Sequence, residues 1–272
     1  MSTRELSRHA SQQISLRVND HVLYVERHGS PQRGTLTLLH HGLGSVRSWR
    51  RQVPDFVDAG WEVIVYDRWG YGHSDPRPEF ADRFLLQDAH EALELLDLLD
   101  VDQTALIGHS DGGSITLLMA ALQPDRVKCL VVVAAHIYYE QKMKTGLLSI
   151  AESAGEPPLS TALKREHGTR AETLTQMWIE HWLGSDPSGL DMSDRLRDIR
   201  SPVLVIQGEM DEHATPDHAR DIASGVQRGE LWLIPGVGHM PLHEVPEEFN
   251  QRVLTFLSRN CVEFAFEEDD VQ

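Results

Sequence analysis

Cysteine is nearly absent: Cys129 and Cys261 are the two in 272 residues. That excludes a disulfide-dense scaffold and a zinc site built on paired cysteines. Cys129 lies in the apolar run "VKCLVVVAA", which reads as a buried strand, so two separate thiols are expected rather than a bridge. Basic charge is also short. Against 42 Asp and Glu there are 25 Lys and Arg, a formal charge of −17, which repels nucleic acid and anionic membrane surfaces. No apolar run approaches the ~20 residues that cross a bilayer. The start "MSTRELSRHASQQ" is polar and lacks the apolar core of a secretory signal. A cytoplasmic protein with neither nucleic-acid nor membrane partners is expected, a monomer or homodimer, and the acidic run Glu267, Glu268, Asp269, Asp270 reads as a solvated tail.

Cofactor signatures are missing as well. The run "GYGHSD" at 70–75 begins like a dinucleotide-binding glycine pattern but has Asp75 where the third glycine belongs, and there is no P-loop. H-E-x-x-H is absent, and His40 and His41, adjacent at a strand end, point to opposite faces, which is wrong for two ligands of one metal. No cofactor and no metal are expected.

What is present is alternation. Two antiparallel strands are predicted at 13–19 and 21–27, then strands in "TLTLLHHG" and "WEVIVYDRWG". A helix at 83–99, a strand at 104–108, a helix at 112–123 and a strand at 128–134 follow. The series closes with a strand at 202–207, a helix at 215–226, a strand at 230–234 and a helix at 246–258. This order predicts an α/β fold, a mostly parallel twisted sheet with helices on both faces. The rhythm breaks between 137 and 198, where helical patterns such as Leu174, Trp178 and Trp182 at spacing four occur without a clear strand. Residues 1–136 and 199–272 are therefore expected to form the core domain and 137–198 a helical cap over the strand ends.

"ALIGHSDGGSI" at 105–115 places a G-x-S-x-G pattern between a strand and a helix. Gly108 and Gly112 permit strand and helix to approach closely while Ser110 takes a strained corner conformation with its hydroxyl outward. The plainer alternative is a serine that caps the helix. A nucleophilic serine needs a base and an orienting acid. His239, after a strand and a Gly-rich turn in "LWLIPGVGHMPLHEVPEEF", is the candidate base, with His243 as its competitor. Asp211 in "VLVIQGEMDEHATP" is the candidate acid, against the reading of a solvated acidic loop.

Ser110, Asp211 and His239 in that chain order, with "HHGLGS", "YDRWGYGHSDP" and "GHSDGG", resemble the α/β-hydrolase fold family over residues from about 20 to 258. The resemblance implies a serine hydrolase whose oxyanion hole is formed by the backbone N–H groups of Leu43 and Asp111. It also implies that the stretch Asp67 to Ser74 is a structural turn. Dehalogenases and epoxide hydrolases of this fold carry aspartate at the nucleophile position, so Ser110 argues against both. The cap pattern "AAHIYYEQ" with its two tryptophans looks like the small carboxylesterases and biphenyl hydrolase-like proteins. Asp111 either stabilises the first helical turn or attracts a substrate amine. His41 is expected to brace the oxyanion loop or touch substrate, and Tyr138, Trp178 and Trp182 to line a pocket or pack onto the core. The activity expected is hydrolysis of a small-molecule carboxylic ester through an acyl-enzyme. A C–C bond hydrolase of a ring-cleavage dienoate and a slow-turnover ligand sensor are the alternatives.

Overall fold

A computed structural model describes residues 11–184 and 191–261. The polar N-terminal decapeptide and the acidic tail at 267–270 lie outside these residues. Strands β1 (Ser11–Val18) and β2 (His21–His28) form a hairpin closed across Asn19 and Asp20, with Asn19 at φ +50°. Then come β3 (Thr35–Leu39), the short helix α1 (Val53–Asp58), β4 (Glu62–Asp67), α2 (Phe84–Leu98), β5 (Thr104–His109), α3 (Asp111–Leu122) and β6 (Val127–Val133). After them stand three helices, α4 (Gln141–Ser153), α5 (Leu159–His167) and α6 (Ala171–Gly184), and no strand among the described residues. The chain closes with β7 (Val203–Gly208), α7 (Pro216–Gly225), β8 (Gly229–Ile234), the short α8 (Pro241–Glu244) and α9 (Pro246–Asn260).

The eight strands form one sheet in the order β1-β2-β4-β3-β5-β6-β7-β8. β1 and β2 run antiparallel to their neighbours and the rest are parallel, which is the predicted class. β4 and β5 are buried along their whole length, as helices on both faces require. The two-residue pleat sorts their side chains between two cores. Ala105, Ile107, Val131 and Val133 face one layer of helices with α9, while Leu106, Leu130 and Val132 face the other with α2, α3 and the inserted helices. Because the strands from β3 onward are parallel, their carboxyl ends share one edge. The loops after β5, β7 and β8 therefore open side by side, where such sheets bind ligands.

One expectation fails here. Cys129 and Cys261 are joined as a disulfide, their Cα atoms 5.9 Å apart across 132 residues of sequence. The reading as separate thiols saw that Cys129 was buried but not that α9 packs on the same face of β6, ending with Cys261 over it. Bonds of this kind persist in oxidising compartments, which bears on the expected cytoplasmic location. Thiol titration of the unfolded, unreduced protein is expected to find no free thiol. Cys261→Ser is expected to lower the unfolding free energy by about 2–5 kcal/mol, since the bond closes a long loop; an unchanged denaturation midpoint would refute this. No helix among the described residues is long and apolar enough to cross a membrane.

Candidate active site

The corner at Ser110 is as tight as its sequence demands. Ser110 has φ +55° and ψ −120°, a region that costs a non-glycine residue about 1–3 kcal/mol. A Cβ on Gly108 would collide with the Gly112 carbonyl, and one on Gly112 with the Leu39 carbonyl, so both glycines are needed for strand and helix to pass. The Ser110 N–H donates to the Val133 carbonyl at 2.8 Å, which pins the corner to the neighbouring strand. No hydrogen bond from a Ser110 side chain caps α3, which removes the capping role as the reason for a serine here.

Asp211 and His239 reach this edge from the loops after β7 and β8. His239 Nδ1 donates to Asp211 Oδ2 at 2.8 Å. The same carboxylate takes Gln207 Nε2 at 2.6 Å and the N–H groups of His213 and Ala214 at 2.8 and 3.1 Å. Asp211 is fully buried. Burial pushes its pKa up, but the hydrogen bond and charge of His239 and the two backbone donors outweigh it, and the carboxyl stays below its ordinary value. His239 shows the converse balance: burial pushes its pKa down, and the Asp211 hydrogen bond and charge carry it above the usual 6.5. His109 Nε2 donates to the His239 carbonyl at 2.8 Å, and the His239 N–H donates to Glu212 at 3.2 Å. His243, the competing base, is occupied elsewhere, on the Ser48 carbonyl at 2.8 Å.

The contact between imidazole and hydroxyl is not closed. Ser110 and His239 line one cavity of about 320 Å³, but no hydrogen bond joins them. Such contacts commonly tighten only when substrate binds.

Leu43 and Asp111 line that cavity too. Asp111 opens α3, so its N–H has no acceptor within the helix. Leu43 sits at φ +59°, and its carbonyl is held by His167 Nε2 of α5 at 2.9 Å, while the Gly72 N–H donates to His167 Nδ1 at 3.0 Å. His40 donates to the His41 carbonyl at 2.7 Å and accepts from the Arg68 N–H at 3.1 Å. The bracing expected of His41 thus falls to His40 and His167, and His41 itself lines the cavity. Asp67 ties the region together, accepting from the N–H groups of Val46 and His73 at 2.7 Å each, as expected of a structural turn.

Trp178 and Trp182 also line the cavity, joined there by Met143, Leu147, Ile150, Leu159 and Leu163 from the inserted helices. The Trp178 Nε1–H donates to Asp111 Oδ2 at 3.1 Å. Trp178 lies so close to Gly42 that a Cβ there would come within 2.5 Å of the ring. Tyr138 is a correction. Its hydroxyl donates to Asp221 at 2.8 Å and its ring stacks on His218 at 4.2 Å, outside the cavity wall, because the chain leaving β6 turns it toward α7. Asp111 carries no free charge either: the Arg68 guanidinium stands 3.7 Å from Oδ2, itself bound to Asp88 at 2.9 Å. Burial pushes the Asp111 pKa up against that cation.

Sequence reasoning missed Gln207, His109, His167 and His136. His136 stands just past β6 and lines the cavity, although its stretch "AAHIYYEQ" reads in the sequence only as part of the cap pattern. Among the cavity's lining residues are the acids Asp111 and Glu212 but no lysine or arginine.

A family model described as alpha/beta hydrolase fold matches residues 35–169. A 2-hydroxy-6-oxononadienedioate/2-hydroxy-6-oxononatrienedioate hydrolase of Paraburkholderia xenovorans is 27% identical, the match covering 82% of this chain and 86% of the relative. A putative carbamate hydrolase, RutD, of Variovorax paradoxus is 29% identical, over 87% and 96% of the two chains. Among solved structures, a 2-hydroxy-6-oxo-6-phenylhexa-2,4-dienoate hydrolase from a Rhodococcus strain superposes with a TM-score of 0.79 at 15% identity, over 92% of this chain and all of the other (100%), a likeness of fold.

Proposed function

As the chain belongs to the α/β-hydrolase fold family, we propose that it is a serine hydrolase cleaving a small carboxylic ester through an acyl-enzyme. The observation that carries the reading is the Asp211–His239 pair at 2.8 Å facing the same cavity as the strained Ser110 corner. His239 takes the proton of Ser110 as its oxygen attacks the ester carbonyl. The oxyanion rests on the N–H groups of Leu43 and Asp111, where preorganised donors are each worth on the order of 10²-fold in rate. Collapse of the tetrahedral adduct sends the proton from His239 to the leaving alcohol. Water, deprotonated by the same imidazole, then releases the acid and restores Ser110. Segment 137–198 acts in this reading as a helical cap, its leucines and tryptophans forming the apolar wall.

Lining charge supports an ester over the dienoate substrates named for relatives. A substrate bearing carboxylates meets Glu212 and no lysine or arginine in the wall, while Arg68 behind the wall is already taken up by Asp111 and Asp88, and an uncompensated buried charge is costly. We expect p-nitrophenyl acetate, propionate and butyrate to give a burst of p-nitrophenol followed by steady turnover. A ring-cleavage dienoate carrying carboxylates should be cleaved at least about 100-fold more slowly, roughly the 2.7 kcal/mol that one unpaired charge readily costs. Faster cleavage of the dienoate would move the reading to a C–C bond hydrolase, and a single slow turnover ending in a stable adduct would move it to a sensor.

A further inference from the structure

Two polar groups in the cavity wall are left over by the reaction just described. His136 Nε2 is buried without a hydrogen-bond partner, and it lies 3.8 Å from Asp111 Oδ1. That is too long for a direct hydrogen bond, yet one atom can stand between them with contacts of about 2.8 Å to each. Both side chains are held where they are. The Asp111 carboxylate is fixed by the Trp178 indole through its other oxygen, and the His136 ring meets Trp182 edge-on at 5.1 Å between centroids.

We infer that His136 and Asp111 form a subsite for a hydroxyl group on the acyl chain of the substrate, next to the carbonyl. The inference rests on the ester-hydrolase reading and narrows it. A hydroxyl donates once and accepts, which suits a carboxylate oxygen on one side and an imidazole N–H on the other. Burial pushes the His136 pKa down to about 3, so the ring is a neutral donor and acceptor at working pH. An ammonium, with donors alone, is less well matched, because the Arg68 guanidinium 3.7 Å from Asp111 already offsets the carboxylate charge. The position follows from connectivity. The Asp111 backbone N–H serves the carbonyl oxygen, and its own side chain extends only a few bonds further, so the hydroxyl belongs on the second or third carbon of the acyl chain.

The test compares kcat/KM for methyl butyrate, methyl 2-hydroxybutyrate, methyl 3-hydroxybutyrate and methyl 3-aminobutyrate by acid release. One hydroxy ester is expected to exceed methyl butyrate on the order of 10- to 100-fold, the range for a hydrogen bond to a charged group. His136→Leu should bring that ratio to about one, mainly through KM, and His136→Gln, which keeps an N–H donor, should restore part of it. A preference that survives His136→Leu, an amino ester preferred over both hydroxy esters, or no discrimination by the wild type overturns the inference. The wild-type ratios and the Gln variant decide the matter even if the Leu variant does not fold. Ester turnover without a hydroxyl preference removes this inference alone, whereas no ester turnover at all removes the reading beneath it as well.

Discussion

Ser110→Ala is expected to abolish the burst of alcohol release and to lower kcat by a factor on the order of 10⁴ to 10⁶, leaving the slow hydrolysis that binding and oxyanion donors sustain on their own. The substitution deletes one oxygen and keeps the backbone, so the cavity and the Asp211–His239 pair persist and binding of a non-hydrolysed ester analogue survives. Ser110→Gly makes the sharper companion. At φ +55° and ψ −120° serine holds a conformation that glycine adopts freely, so this inactive variant should unfold no more easily than the wild type despite glycine's greater entropy in the unfolded chain. Thermal unfolding beside a p-nitrophenyl butyrate assay reads both quantities. A Ser110→Ala enzyme that retains a tenth of the wild-type rate would show that the nucleophile is elsewhere.

The second large effect concerns Asp211. Asp211→Asn is expected to cost about 10⁴-fold in kcat, the size found where such an acid becomes an amide. The reason lies in the donor count: the carboxylate receives Gln207, His239 and two backbone N–H groups. An amide has one oxygen, and the backbone donors will claim it. The NH₂ group then faces His239 Nδ1 and forces the tautomer that puts the proton on the nitrogen needed by Ser110. The pH profile should move as well. The base must be neutral to accept a proton, so wild-type activity falls as pH drops through a pKa that Asp211 holds above 6.5. Without that partner burial dominates, the pKa drops, and the acid limb of the variant shifts to lower pH beneath its lowered plateau. An acid limb unmoved in Asp211→Asn would mean that the limb belongs to another group.

Much of this was legible because it is local. Strand and helix ends fell within about two residues of their predicted places, since periodicity and turn residues act over a few positions. The Ser110 corner was readable for the same reason: Gly108 and Gly112 answer a steric demand that arises inside five residues. Asp211 and His239 could be picked because each stands just past a strand whose end must lie on the common edge. What escaped is set by distant partners. Nothing near Cys129 says that α9 will end over it. Tyr138 and His136 both follow β6, and which of them faces the cavity depends on the path of the chain as it leaves the sheet. Arg68 reads as part of a turn, yet it neutralises Asp111 from across the buried network, and only the assembled sheet reveals that it spends the charge once offered to a substrate amine.

Gly42, Asp111 and Trp178 come from three separate stretches of chain, and each holds its place through the other two: the indole donates to the carboxylate and occupies the space the missing Cβ leaves. In a lineage, therefore, none of the three is free to drift alone. A bulkier residue at 42 should appear only where the large ring at 178 has been lost, and loss of that ring should travel with replacement of Asp111, so that this triplet is inherited or exchanged as one allele of the pocket.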